Sequence, residues 1–202
     1  MTIHPEVSLA QRKRRLVSDE LTGAALKLLA HKGFDAVTVD EIVATAGVSR
    51  RTFFRYFASK EDVVIQFLAD MGTGMRAELA GRPAQEPPSV ALRHTVRVPV
   101  DACAGHADQA LRVVRLIMGT PSLLARFLER QAQWRDELAA EVANRLNVSP
   151  KTDLYPRLAA GIALTVFGTV LQRWSDSDGA EDPATLTDQA FAVVAPALDA
   201  VV

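Results

Sequence analysis

Apolar positions recur along this chain with a helical period almost from end to end, and few runs show the two-residue alternation of a strand. Val17, Leu21, Ala24, Ala25, Leu28 and Leu29 line one face of a first helix predicted from Val17 to His31, and Gly33 supplies its stop. Thr38 and Glu41 stand at capping-box spacing and open a second helix that ends before Gly47. Ser49 caps a short third helix through Tyr56, and Ser59 with Asp62 caps a fourth that reaches Gly81. Arg82-Pro83-Ala84-Gln85-Glu86-Pro87-Pro88 then breaks the pattern and predicts a hinge loop. Beyond it, helices are predicted near 89–104, 107–118, 121–147, 152–175 and 183–201. Thr120-Pro121, Ser149-Pro150 and Asp182-Pro183 each place a cap before a proline at a helix start. Ser175 to Glu181 is polar and reads as a mobile loop. The expected class is all-α.

Composition narrows the setting. Cys103 is the only cysteine, which excludes an intramolecular disulfide and argues against a cysteine-based zinc site. The apolar stretches fall short of a membrane span, and no apolar segment follows Arg12, Lys13, Arg14 and Arg15 as a secretory signal would require. A cytoplasmic protein without membrane attachment is expected. The net charge of −1 hides an asymmetry. Residues 1–60 carry 10 Lys/Arg against 6 Asp/Glu, and the remainder 13 against 18. A basic head on an acidic body suits a head that meets a polyanion.

The most informative stretch runs from Gly33 to Lys60. Two short helices meet at Ala46-Gly47-Val48, where glycine permits a sharp turn. Ile42, Val43, Ala46, Val48 and Phe53 can bury one face, leaving Arg50, Arg51, Phe54 and Arg55 on the other. Such a helix fits the major groove, where arginine matches guanine O6 and N7 and an aromatic edge can meet a thymine methyl. Core packing is the competing reading for Phe54, and a solvated face for the arginines. Arg12 to Arg15, placed ahead of the first predicted helix, suggest an arm over the minor groove or phosphates, or a disordered basic leader.

Gly33-Phe34, Thr38-Val39-Asp40-Glu41-Ile42, Ala46-Gly47-Val48-Ser49, Thr52-Phe53-Phe54, Tyr56-Phe57 and Ser59-Lys60-Glu61 together resemble the N-terminal domain of the tetracycline-repressor (TetR) family. The resemblance covers roughly residues 17–65. It implies an arm and helix-turn-helix DNA-binding domain over 1–60, and a helical ligand-binding and dimerisation domain over 61–202. It also implies that Arg50, Arg51, Phe54 and Arg55 face bases or adjacent phosphates, while Thr38, Ser49, Thr52, Tyr56 and Lys60 hold the DNA backbone. Arg51, Phe54 and Tyr56 depart from the commoner glycine, tyrosine and histidine of that pattern, which leaves the operator sequence open.

A single short recognition helix reads few base pairs, so a two-fold dimer is expected. Leu154, Leu158, Gly161, Thr165 and Gly168 form one candidate interface stripe. Leu186, Ala190, Val193, Val194, Ala197 and Val201 form a second. Intrachain packing is the alternative for both. The apolar residues of the middle helices, among them Met118, Phe127, Trp134 and Phe167, either enclose a cavity or fill one. Arg112-Val113, Thr120-Pro121, Trp134-Arg135, Asp153-Leu154, Trp174 and Ala190-Phe191 are similar to the mycofactocin-type regulators within the same family, which implies a small amphipathic effector of the acyl-CoA kind. Arg93, Arg97, Arg112 and Arg115 are then candidates for its phosphates. No cofactor is expected. A small helical enzyme is disfavoured, because His4, His31, His94 and His106 show no metal-ligand spacing, and no strand precedes Gly72-Thr73-Gly74. A constitutive DNA-binding protein whose body only dimerises stays open.

Overall fold

The computed structural model describes residues 8–103 and 106–200. Among them the chain forms helices α1 (Leu9–Lys32), α2 (Val39–Thr45), α3 (Arg50–Tyr56), α4 (Lys60–Gly81), α5 (Pro88–Asp101), α6 (Ala107–Gly119), α7 (Pro121–Leu146), α8 (Tyr155–Asp176) and α9 (Pro183–Asp199). No strand occurs among the described residues. Two compact units divide between Phe67 and Leu68.

In the first unit α1 buries Leu21, Ala25 and Leu29, and α2 and α3 bury Ile42 and Phe53. Unlike the prediction, α1 begins at Leu9, not Val17, so Arg12 to Arg15 belong to a helix and not to an arm. The apolar stripe starts at Val17, but Leu, Ala, Gln, Arg and Lys are all strong helix formers and carry the helix further back. Anything an arm would do within residues 1–7 lies outside the described residues.

The second unit is organised about α8, which packs on α5, α6, α7 and α9. Ala159, Ala160 and Ala163 let neighbours approach it, while Phe167, Val170 and Trp174 fill the space between them. Asp199 of α9 accepts from the backbone N–H of Ser89 at 3.0 Å and from its hydroxyl at 2.7 Å, closing α9 on the start of α5. The Tyr155 hydroxyl donates to the Leu198 carbonyl. Burial pushes that phenol's pKa up.

Two loops carry ties that the sequence does not predict, and one helix starts later than expected. Residues 82–87 are pinned, because Arg145 of α7 donates to the carbonyls of Arg82 and Pro83 at 2.8 Å each. The Arg82 guanidinium also binds Glu86, and this pairing holds the Glu86 carboxyl below its usual pKa. The polar stretch after α8 is tied likewise: Arg115 donates to Asp178 and to the Ser175 carbonyl, and Arg173 to Glu181. Ser149-Pro150 opens a turn and not a helix. Asn147 ends α7 in the left-handed region at φ 53°, the Ser149 carbonyl closes the turn, and α8 starts only at Tyr155. Asp182 caps α9 as expected, accepting from the Thr185 N–H at 2.9 Å, whereas Thr120 makes no side-chain cap.

Candidate nucleic-acid interface

The interface is built from two caps and one glycine. Thr38 and Glu41 form the reciprocal capping box: the Thr38 N–H donates to Glu41 at 2.9 Å, and the Glu41 N–H donates to the Thr38 hydroxyl at 3.3 Å. Lys32 of α1 donates to the same carboxylate at 2.6 Å. That bond, with help from Thr38, lowers the Glu41 pKa to about 2. Gly47 turns the chain at φ 65°, a conformation that other residues rarely adopt, and the Val48 N–H returns to the Val43 carbonyl at 3.0 Å. Ser49 then caps α3 by accepting from the Thr52 N–H at 3.1 Å, and its hydroxyl pairs with that of Thr52 at 3.0 Å.

On α3 the split between buried and exposed side chains is sharp. Phe53 is wholly buried and packs against Phe57 at 5.6 Å. Arg50, Arg51, Phe54 and Arg55 are all exposed, Phe54 at 49%. Phe54 therefore sits against the rim of the core, edge-to-face with Phe53 at 5.3 Å, and offers its other side to solvent. Arg51 has no partner among the described residues. Arg50 donates through Nη1 to Asp40 of α2 at 3.0 and 2.9 Å, with its guanidinium 5.7 Å from the Phe54 ring centroid. Tyr56 lies between two cations, Arg55 at 5.1 Å and Arg14 of α1 at 5.9 Å. Lys60 points inward, donating to the Phe34 carbonyl at 2.6 Å and the Val37 carbonyl at 3.0 Å, and has one of its three donors left. Asp40 is a residue that the sequence does not single out, and Arg14, expected in an arm, instead stands over Tyr56. Helical spacing carries no signal for either contact, since each joins two helices.

The candidate effector residues divide. Phe127, Trp134 and Phe167 come together as a buried edge-to-face series, at 6.0 and 6.4 Å. The Trp134 indole N–H has no partner, and Met118 is only half-buried. The arginines are already engaged: Arg93 and Arg97 both donate to Asp188 of α9, at 3.1 and 3.0 Å, and Arg115 to Asp178. A phosphate at Arg97 would compete with Asp188 and Asp101 for a fully engaged guanidinium, whereas Arg93 and Arg115 each use a single terminal nitrogen and keep donors free. Arg112 differs, with its Nε buried and unpartnered.

The candidate dimer residues also divide. Leu158 and Ala197 are exposed, as is the neighbouring Val193 at 79%, while Ala190 and Val194 are half-buried. Gly161 and Gly168 face α7 of the same chain, since a Cβ on either would meet Arg135 or Gln131. Thr165 is exposed and returns its hydroxyl to the Gly161 carbonyl. No helix among the described residues is long and apolar enough to cross a membrane, and no cluster of metal-ligating side chains occurs among them.

Comparison with known proteins places this geometry. Residues 21–67 match the model for bacterial regulatory proteins of the tetR family, and residues 86–199 match the MftR C-terminal domain. The HTH-type transcriptional regulator TcmR of Streptomyces glaucescens is 34% identical over 172 residues, covering 82% of this chain and 76% of that protein. The Mycobacterium tuberculosis protein MftR, named for regulation of mycofactocin biosynthesis, is 30% identical over 202 residues, covering 96% and 98%. Among solved structures, FadR of Bacillus subtilis in complex with stearoyl-CoA is similar in fold, with a TM-score of 0.65 at 19% identity over 88% of this chain and 97% of that one. The capped helix-turn-helix, the helical second unit and the two matched family models have one explanation: the chain belongs to the TetR family of DNA-binding transcriptional regulators.

Proposed function

We propose that the protein is a cytoplasmic, homodimeric repressor that binds a palindromic operator through α3 and is released by a small amphipathic effector of the acyl-CoA class. The observation that carries the DNA-reading half is the division of α3, with Phe53 anchored in the core and Arg50, Arg51, Phe54 and Arg55 exposed. These four meet bases or neighbouring phosphates in the major groove, while Thr38, Ser49, Thr52, Tyr56 and Lys60 hold the DNA backbone and one another. Residues 1–60 form the reading head, and 61–202 bind effector and partner. Dimerisation uses the uncovered apolar positions of α8 and α9, Leu158, Val193 and Ala197 among them, with Ala190, Val194, Thr165, Gly161 and Gly168 beside them.

The effector class is supported by the stearoyl-CoA bound to the FadR neighbour and by the MftR-type match over 86–199. Met118, Phe127, Trp134 and Phe167 supply the apolar contacts, and Arg93, Arg97 and Arg115 exchange their carboxylate partners for phosphate. A second reading, constitutive binding with no effector, draws on the close packing of Phe127, Trp134 and Phe167. Calorimetric titration of long-chain acyl-CoAs with and without operator decides between them. Linkage requires operator to weaken ligand binding by the same factor, ~5–150-fold for typical coupling, by which ligand weakens operator binding. Equal ligand affinity in the two titrations, or no binding, excludes the switch.

A further inference from the structure

Asp40 is an unexpected neighbour for a DNA-reading helix. It is exposed on the first turn of α2 and reaches ten residues along the chain to Arg50. A carboxylate beside approaching phosphates weakens DNA binding on electrostatic grounds alone. The N-terminus of α2 does not require it, because Glu41 and Thr38 already complete the cap. The contact with Arg50 supplies a different use.

Both Asp40 oxygens accept from a single nitrogen, Nη1, at 3.0 and 2.9 Å. The guanidinium has five N–H donors in a fixed fork, so the edge formed by Nε and Nη2 stays available. That edge presents two parallel donors, the pattern that guanine O6 and N7 accept. The guanidinium carbon also stands 5.7 Å from the Phe54 ring centroid, a second contact on the same side chain. A free arginine on this helix could swing to the nearest phosphate, adding affinity without sequence preference. Asp40 occupies the one nitrogen and repels the phosphate, which biases Arg50 toward a base edge. Arg51, one residue on, has no such restraint.

We infer that Asp40 is a specificity-determining positioning residue, which holds the Arg50 fork ready to read a guanine in the operator. The inference rests on the reading of α3 as the base-reading helix. Its test starts by selecting the preferred half-site from a random duplex pool with the wild-type protein. Binding of wild type, Asp40→Asn, Asp40→Ala, Arg50→Ala and the Asp40→Asn/Arg50→Ala pair is then measured on that operator, on every single-base substitution of it, and on random duplex. Arg50→Ala should abolish the preference for one guanine. Asp40→Asn and Asp40→Ala should reduce the preference for that same guanine by about 1.5- to 5-fold, the scale expected for losing one exposed ion pair that orders a side chain. Their binding to random duplex should be unchanged or tighter, because a negative charge has been removed. In the Arg50→Ala background, Asp40→Asn should leave every base preference unchanged. Because the readout is a ratio on one preparation, a smaller folded fraction cancels out of it. Full guanine preference in both Asp40 variants, or an equal loss on all duplexes, overturns the role of Asp40. If Arg50→Ala itself leaves all base preferences intact, the assignment of Arg50 as a base reader fails first.

Discussion

Substituting Gly72 by alanine isolates the role of Trp134 in the second unit. A Cβ at Gly72 of α4 would lie 2.0 Å from Trp134 Nε1 and 2.2 Å from Cδ1, far inside van der Waals contact. The indole cannot simply rotate away, since it is 1% exposed and lies between Phe127 and Phe167. In an open helix interior, Gly→Ala stabilises by about 1 kcal/mol. Here overpacking costs about 1–3 kcal/mol, and disturbing two edge-to-face pairs about 0.5–1.5 kcal/mol each. The net expectation is a loss of about 3 kcal/mol. Gly74, two residues along α4, provides the control: its Cβ would meet only Val98 Cγ1, at 3.3 Å, a contact that a small shift relieves. Gly74→Ala should therefore lie within about 1 kcal/mol of wild type, with the helix gain offsetting the tight contact. Urea unfolding at one protein concentration, followed by tryptophan fluorescence and far-UV circular dichroism, measures both variants. Gly72→Ala as stable as Gly74→Ala would refute the account of Trp134 as wedged into the hollow that Gly72 leaves.

Further expectations concern the head and the dimer. The Glu41 pKa is depressed to about 2, so the stability gained from its charge is fully present above the unfolded value of about 4.3 and is lost as pH falls from there through 2. Thermal melts between pH 2 and 6 should show this slope in wild type and a shallower one in Glu41→Gln; equal slopes would remove Glu41 as the cause. Lys60→Ala leaves the Phe34 and Val37 carbonyls without their charged donor and should destabilise the head by about 1–3 kcal/mol while weakening binding to all DNA alike. A melting curve like that of wild type would return Lys60 to a purely phosphate-binding role. Leu158→Glu with Val193→Glu, both on exposed side chains, should give a monomer in sedimentation with helicity retained, and an unchanged dimer would move the interface elsewhere.

What the sequence made legible is what neighbours in the chain decide. Caps act over three residues and turns over four, so the bounds of α2 and α3, the Gly47 turn and the burial of Phe53 all follow from local spacing. The start of α1 was hidden because an apolar stripe reports where a helix is packed, and its first turns are helical through propensity, with Leu9 and Leu16 85% and 68% exposed. The ties at 82–87 escape the sequence for a related reason. Prolines and a glycine mark where a helix stops, but not whether a distant guanidinium, here Arg145, holds the loop that follows.

Arginines show this limit most clearly, and it bears on function. A helical sequence tells which arginines reach the surface, whereas their availability to a phosphate or a base depends on carboxylates brought up by other helices. Arg93 and Arg97 share Asp188, more than ninety residues away in the chain, and Arg115 meets Asp178. Seen as sequence, all of them equal Arg51 as anion-binding candidates, yet Arg51 alone of these has no partner among the described residues. Unpaired and exposed, it loses no intrachain bond when it meets DNA. Arg93, Arg97 and Arg115 already hold ion pairs, so a ligand that displaces those carboxylates releases Asp188 or Asp178 and loosens the joints between α5 and α9 or after α8. Effector binding through these residues would therefore be coupled to a change in helix packing by the competition itself, with no separate transmitting element required.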